Sequence, residues 1–407
     1  MHLGIIGGGP AGLWAAETAL REGARVTLFE AKASVGRKFL VAGTGGLNLS
    51  KAEAPSLFAT RYRGPEMPVG FWGERLAELP LERLQKWAEG LGVETFAAST
   101  GRVYPREMKA APLLRRWVER LRRGGVELHM RHRWVGVHSE AGVQLRFATS
   151  SGEVSRRVDA VVLALGGGSW PETGADGGWI PVLQGLGVPV APLAPANCGW
   201  ELPWPPAVLA FEGAPLKNIA VRAGGAVVRG ELLITRYGLE GGAVYLVGAA
   251  LRQMANPFLE LDLRPDLTVP QLVAKMGPAR RNLVQEAQAR WRLTEAAAAV
   301  LRSAAGEAVD PEGLARLVKA VPLPLTRPRP LAEAISSAGG IPWAEVDSRL
   351  MLKRLPGVFV AGEMVDWEAP TGGYLIHGCM AMGEHAARGA VQWMRAQIQP
   401  PALVTGS

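Results

Sequence analysis

Apolar residues follow two rhythms along this 407-residue chain. Short continuous runs that end in glycine alternate with stretches whose apolar positions recur every three or four residues. The first run, His2-Leu3-Gly4-Ile5-Ile6, predicts a strand that breaks at Gly7-Gly8-Gly9-Pro10-Ala11-Gly12. A small-residue helix follows, and Arg25-Val26-Thr27-Leu28-Phe29-Glu30 predicts a second strand ending in an acid. Val158 to Gly168 and Gly357 to Glu363 repeat the strand-then-glycine pattern, which suits strands buried on both faces of a parallel sheet.

Between these runs the helical rhythm takes over. Residues from about Leu81 to Arg123 read as two helices separated by Gly101–Pro105. In the second, Leu113, Leu114, Trp117, Val118 and Leu121 recur at helical spacing, so Arg115, Arg116, Arg120, Arg122 and Arg123 belong to its outer face. Val126–Val137 and Val143–Phe147 predict a hairpin. Near Pro189 the composition changes. Prolines and the alternation of Ala220–Val228 and Glu231–Thr235 predict an antiparallel insertion, and 270–319 turns helical and alanine-rich. A last helix is expected from Tyr374 to about Ala396. The unit built on the glycine-ended strands is therefore split, 1–190 and 330–407, around an inserted region. Only the last few residues read as unstructured.

Composition narrows the setting. Hydrophobic content of 48 % with 51 Gly and 30 Pro suits a turn-rich α/β protein. No apolar run approaches membrane-spanning length, and the N-terminus enters the first strand at once, without signal-peptide architecture. Two cysteines, Cys198 and Cys379, argue against a disulfide framework and for a reducing cytoplasm, and their spacing fits no metal site. The excess of 45 Lys+Arg over 37 Asp+Glu gives a net charge of +8. That charge admits a nucleic-acid partner, yet no nucleic-acid motif accompanies it, so a small molecule is the expected partner. Oligomeric state stays open.

The glycine turn carries the chemistry. Gly7 permits the tight turn, Gly9 lets backbone approach a pyrophosphate, and Gly12 lets the helix pack close to the sheet. Pro10 suits the first helical turn, and the helix N-terminus faces the phosphates. Glu30 stands where a carboxylate can accept from ribose hydroxyls. Gly362-Glu363 places a second acid where FAD, unlike NAD, has a sugar-alcohol chain. The amides of Gly372-Gly373-Tyr374 can stabilise negative charge on a reduced flavin. Arg37 and Lys38 can balance phosphate or flavin charge. Absence of a second GxGxxG means that NAD(P)H binds transiently or that another donor reduces the flavin.

Val41–Ser50, Ala164–Thr173, Gly230–Gly241, Ile335–Gly340 and Gly357–Tyr374 together resemble the bacterial BaiN-like, or RdsA-like, NAD(P)/FAD-dependent oxidoreductases over nearly the full length. The resemblance implies an α/β fold of the glutathione-reductase type: a discontinuous FAD-binding Rossmann-like domain with an inserted antiparallel β-barrel, 191–268 with about 321–332, and a helical subdomain, 269–320. The family's founding activity is reduction of double bonds in 3-oxo bile acids. Gly46-Leu47, Leu375, His377 and Arg236 depart from the family pattern, which marks a divergent subgroup. The expected cofactor-binding set is Gly7, Gly9, Pro10, Ala11, Gly12, Glu30, Ala31, Arg37, Lys38, Asn48, Trp134, Gly166, Gly362, Glu363, Gly372, Gly373 and Tyr374. Tyr374, His377 and Tyr237 are the candidate proton donors. The function expected is an FAD-dependent oxidoreductase that reduces or oxidises a small, apolar, carbonyl-conjugated compound by hydride transfer through flavin N5, with NAD(P)H as donor. An RNA-modifying flavoprotein and a catalytically lapsed FAD-binding protein are the alternatives.

Overall fold

The computed structural model describes residues 1–139, 142–278, 282–306 and 310–398. The tail expected to be unstructured lies outside the described residues from 399 onward. The chain divides into two compact units, Met1–Ala194 with Ser336–Ser407, and Pro195–Ile335.

In the first unit, β1 (His2–Ile6) leads through the glycine turn into α1 (Pro10–Arg21) and β2 (Arg25–Glu30). Then come α2 (Arg37–Ala42), α3 (Leu81–Glu89), α4 (Ala110–Arg123) and β3 (Glu127–Met130). Strands β4 (Arg133–His138), β5 (Val143–Thr149) and β6 (Gly152–Val158) form an antiparallel meander, and β7 (Ala160–Leu163) returns to the centre. After the second unit, β8 (Val358–Val360) and the 25-residue α5 (Tyr374–Ile398) finish the chain. The main sheet is five-stranded and parallel in the order β8–β7–β1–β2–β3. Leu3, Ile5, Leu28, Val161, Val162 and Phe359 are wholly buried in it or within 1 % of that, as continuous apolar runs require.

Three expectations are corrected here. The hairpin strand read over Val126–Val137 is two strands in different sheets. Arg131 takes a left-handed backbone conformation (φ 58°) and donates its N–H to the Lys32 carbonyl, so β3 stops beside β2 while β4 turns to pair with β5. Likewise Val158 ends the meander, and the buried central strand begins at Ala160. The segment read as a break between helices, Arg102–Pro105, is itself a strand between Ser50–Lys51 and Thr95–Ala97. The arginine-rich α4 behaves as its periodicity dictates: Leu113, Leu114, Trp117 and Leu121 are buried.

The second unit holds a six-stranded antiparallel sheet running from Trp200–Glu201 at one edge to Val321–Pro324 at the other. Beyond that edge the chain pairs back onto the first strand, through Glu201 N–H to the Arg327 carbonyl (2.8 Å) and Arg329 N–H to the Gly199 carbonyl (2.8 Å), which closes a barrel. Helices Val269–Met276, Leu283–Arg290, Glu295–Ala304 and Pro311–Lys319 share its core. The expected fold class, a split Rossmann-like domain with an antiparallel insertion and helices, holds. Among the described residues no helix is long and apolar enough to cross a membrane.

Candidate functional site

A cleft opens at the carboxyl ends of β1, β2, β7 and β8, where ligands bind in open parallel sheets. Its floor is the glycine turn. Gly7 has φ 105°, and a Cβ there would lie 2.2 Å from the Ala164 carbonyl oxygen. A Cβ at Gly12 would lie 1.9 Å from the Gly7 oxygen, whereas at Gly9 it would meet nothing within 4 Å. The three glycines thus divide as the spacing suggests. Two permit backbone packing, and Gly9 keeps open space before the N-terminus of α1, where unpaired amides favour an anion. Pro10 occupies the first helical position.

Glu30 ends β2 at the cleft wall. Its Oε2 accepts the Gly8 N–H (2.9 Å) and its Oε1 the Lys32 N–H (2.8 Å), so the carboxylate is oriented by the backbone it borders. Each oxygen keeps a lone pair for a further donor. Ala31, Arg37, Gly166 and Trp134 also line the cleft. Arg37 is exposed, with no ion pair among the described residues. The indole Nε1 of Trp134 is buried without a hydrogen-bond partner among the described residues, and so is Asn48 Oδ1. Across the cleft, Gly362 and Glu363 follow β8. Lys38, on α2, donates to Glu363 Oε2 (2.9 Å) and to the Ser169 hydroxyl (2.7 Å). Two cofactor candidates more than three hundred positions apart are therefore each other's partners.

Other candidates lie outside that cleft's lining. Gly372 and Gly373 have positive φ (120° and 97°) before α5, and a Cβ on Gly373 would sit 2.5 Å from the Ser50 backbone. Tyr374 is buried, and its hydroxyl donates to Glu53 Oε1 at 2.7 Å. Burial, and then this carboxylate, push the phenol well above its usual range. Glu53 also faces Arg61 (3.4 Å) and Lys51 (3.6 Å).

His377 requires a correction. Its ring is 2 % exposed, Nε2 contacts the Leu79 carbonyl (2.7 Å), and Nδ1 contacts the Ser50 hydroxyl (2.7 Å). The carbonyl only accepts, so Nε2 carries the proton and Nδ1 accepts from Ser50. Burial lowers the imidazole to about 4. A neutral ring with both nitrogens engaged is a tie between α5 and the segment before α3, not a proton donor. Tyr237 lies in the second unit, where Arg329 stacks on its ring at 4.4 Å. Burial and then Glu240 push its hydroxyl up to about 12.

Periodicity and motif missed the residues that orient this site. Trp14 Nε1, on α1, donates to Glu384 Oε2 on α5 (2.9 Å); Glu384 is 1 % exposed and also takes Arg83 (2.8 Å) and Arg388 (2.7 Å). Glu17, one turn along α1, accepts from Trp87 (3.0 Å) and Trp117 (2.7 Å). Acids among apolar helix positions were the available signal. Cys379 lines the cleft, and burial raises its thiol above the usual range. Among the described residues no cluster of three metal-ligating side chains occurs.

A parallel sheet with a glycine turn at its carboxyl end, an acid on the second strand and a second acid across the crevice defines a dinucleotide-binding protein of the Rossmann class. The chain belongs to the HI0933-like protein Rossmann domain family, whose model matches residues 1–389. This bears out the resemblance read from the motifs, and the chain is an oxidoreductase. It is similar to a 3-dehydro-bile acid delta(4,6)-reductase of Clostridium scindens, 25 % identical over 96 % of this chain and 99 % of that one. A ribosomal RNA dihydrouridine synthase of Escherichia coli is 22 % identical over 91 % and 93 %. The solved 3-ketosteroid-delta4-(5alpha)-dehydrogenase of Rhodococcus jostii RHA1 shares the fold, with a TM-score of 0.51, 17 % identity and 96 % of each chain covered.

Proposed function

We propose that the cleft binds FAD and that the protein reduces, or in reverse forms, a carbon–carbon double bond conjugated to a carbonyl in a small apolar compound, with NAD(P)H as donor. The observation that carries this is the meeting of the Gly7–Gly12 turn and Glu30 with Gly362-Glu363, which builds both ends of one extended site. The donor set fits FAD: open backbone at Gly9 for a pyrophosphate, Glu30 for the adenosine ribose, Glu363 for the sugar-alcohol chain, and a buried, unpartnered indole N–H on Trp134 in the cleft lining. Bound FAD supplies hydride chemistry at N5. The protein's part is to orient it, and the Gly372 and Gly373 amides at the start of α5 are the candidates for stabilising a reduced flavin. Tyr374 and Tyr237 remain the proton-donor candidates. Tyr374 would need its hydrogen bond to Glu53 to be exchanged first.

Two relatives point to the same bond type. A delta(4,6)-reductase saturates a ring double bond, and dihydrouridine is uridine saturated at a bond conjugated to its carbonyl. Purified protein should show flavin absorbance, bleach anaerobically with NADH or NADPH, and reoxidise with an enone. Protein that neither carries nor takes up FAD refutes the assignment.

A second reading, uracil in RNA as the substrate, is favoured by the +8 charge and by the dihydrouridine synthase relative. It requires RNA affinity that falls steeply with salt. RNA binding without that slope, or none at all, removes it.

A further inference from the structure

We propose that Lys38 is a positioning residue: it fixes one oxygen of Glu363 so that the other is presented to a hydroxyl of the FAD sugar-alcohol chain, and it is not the counter-charge of the phosphates. The inference rests on the FAD assignment above and deepens it. Lys38 is the second residue of α2, reached by a turn at Gly36 (φ 69°). Its ammonium is held by two protein acceptors, Glu363 Oε2 at 2.9 Å and the hydroxyl of wholly buried Ser169 at 2.7 Å. An ammonium anchored on both sides is not free to follow a phosphate. Glu363 lines the cleft with its side chain 11 % exposed, and among the described residues Lys38 is the one group that donates to its carboxylate. Oε1 is thus left for a ligand hydroxyl, with rotation of the carboxylate blocked by the pair.

The neighbouring cation makes the contrast. Arg37 lines the same cleft, is exposed, and has no ion pair among the described residues. Adjacent positions on one helix therefore divide two tasks. Arg37 is available to the pyrophosphate, and Lys38 is committed to the far acid. A ligand that ends at the pyrophosphate needs Arg37 but not Lys38; one that extends into a polyol needs both.

ADP and FAD are the probes that separate these roles. Their dissociation constants are measured on full-length protein stripped of flavin, for the wild type and for K38M, K38R, E363Q, R37Q and the K38M/E363Q double variant. K38M is expected to weaken FAD tenfold or more and leave ADP within twofold. E363Q should do the same, and the double variant should bind FAD no worse than E363Q, because both changes break one device. K38R should recover most of the loss. R37Q should weaken ADP and FAD alike. The proposal is overturned if K38M weakens ADP as much as FAD, or if the two losses multiply in the double variant. Should K38M fail to fold by thermal melting, K38R and E363Q carry the same ADP-against-FAD comparison. Wild-type protein that binds ADP but not FAD would refute the FAD assignment itself, before any variant is made.

Discussion

Replacing Gly9 and Gly12 singly by alanine separates cofactor binding from folding within one turn. At position 12 the new Cβ would stand 1.9 Å from the Gly7 carbonyl oxygen and 3.3 Å from Ile5 Cγ2. Relieving that overlap requires α1 to lift by about 1 Å, since favourable heavy-atom contact begins above about 3 Å. Overpacking of this kind costs about 1–3 kcal/mol. The obstacle is backbone, so the upper end applies, and alanine's helix propensity returns about 1 kcal/mol. A net loss of about 2 kcal/mol lowers the melting temperature by about 4–8 °C in a unit of this size. At position 9 the Cβ meets nothing within 4 Å, and the backbone (φ −80°, ψ −177°) is extended. Gly9→Ala should therefore melt within about 1 kcal/mol of the wild type, since an N-cap glycine-to-alanine change is small. Its methyl group, however, fills the space before the helix N-terminus. Losing one charge-assisted contact there, about 1.5–3 kcal/mol, weakens FAD about tenfold to a hundredfold. Thermal melts of flavin-free protein and titration of flavin fluorescence measure the two effects. A folded Gly9→Ala protein that binds FAD within twofold of the wild type refutes the assignment of this turn. A Gly12→Ala protein that melts like the wild type refutes the packing account.

Further outcomes follow from the same contacts. His377 stays neutral in the folded protein down to about pH 4, whereas the unfolded chain takes up the proton near pH 6.5. The unfolded state thus binds more protons between those values, and stability falls as pH falls through that window, by up to about 3 kcal/mol. His377→Gln should flatten urea unfolding between pH 7 and 4.5; an unchanged slope refutes this. Glu384→Ala leaves the Trp14 N–H without its acceptor and removes the buried carboxylate from Arg83 and Arg388, which keep only Glu78 among the described residues. The loss should be about 3 kcal/mol, the low end for a broken buried pair because both arginines reach solvent, read from denaturant midpoints. Tyr374→Phe and Tyr237→Phe should each leave flavin reduction by NAD(P)H unchanged. Only the proton donor's variant should slow reoxidation by an enone, measured by stopped flow.

Much of the fold was legible because its signals are local. Continuous apolar runs, ending in glycine for β1, β7 and β8 and in Glu30 for β2, located the sheet, and the amphipathic stripe around Leu113 and Trp117 located α4. The departures came from long-range pairing. Val126–Val137 has the composition of one strand, but Arg131 reverses the chain and the halves join different sheets. Within the site, Gly7, Gly9 and Gly12 could be read by spacing, since turn, approach and packing are properties of a few consecutive residues. His377 could not. Its environment is made by Ser50 and the Leu79 carbonyl, residues about three hundred positions away, and burial there turns a plausible acid into a structural tie.

By itself the sequence determined which cofactor class the chain is built for, because the glycine turn, Glu30 and Gly362-Glu363 each carry their chemistry in short segments. Only the tertiary structure decided how those segments share the work. Lys38 reads as a free cation in its loop, yet folding brings it to Glu363 and Ser169, which take two of its three donors. Charge and hydrogen-bonding capacity belong to a residue type; whether they are spent on protein or left for a ligand depends on which neighbours the fold supplies.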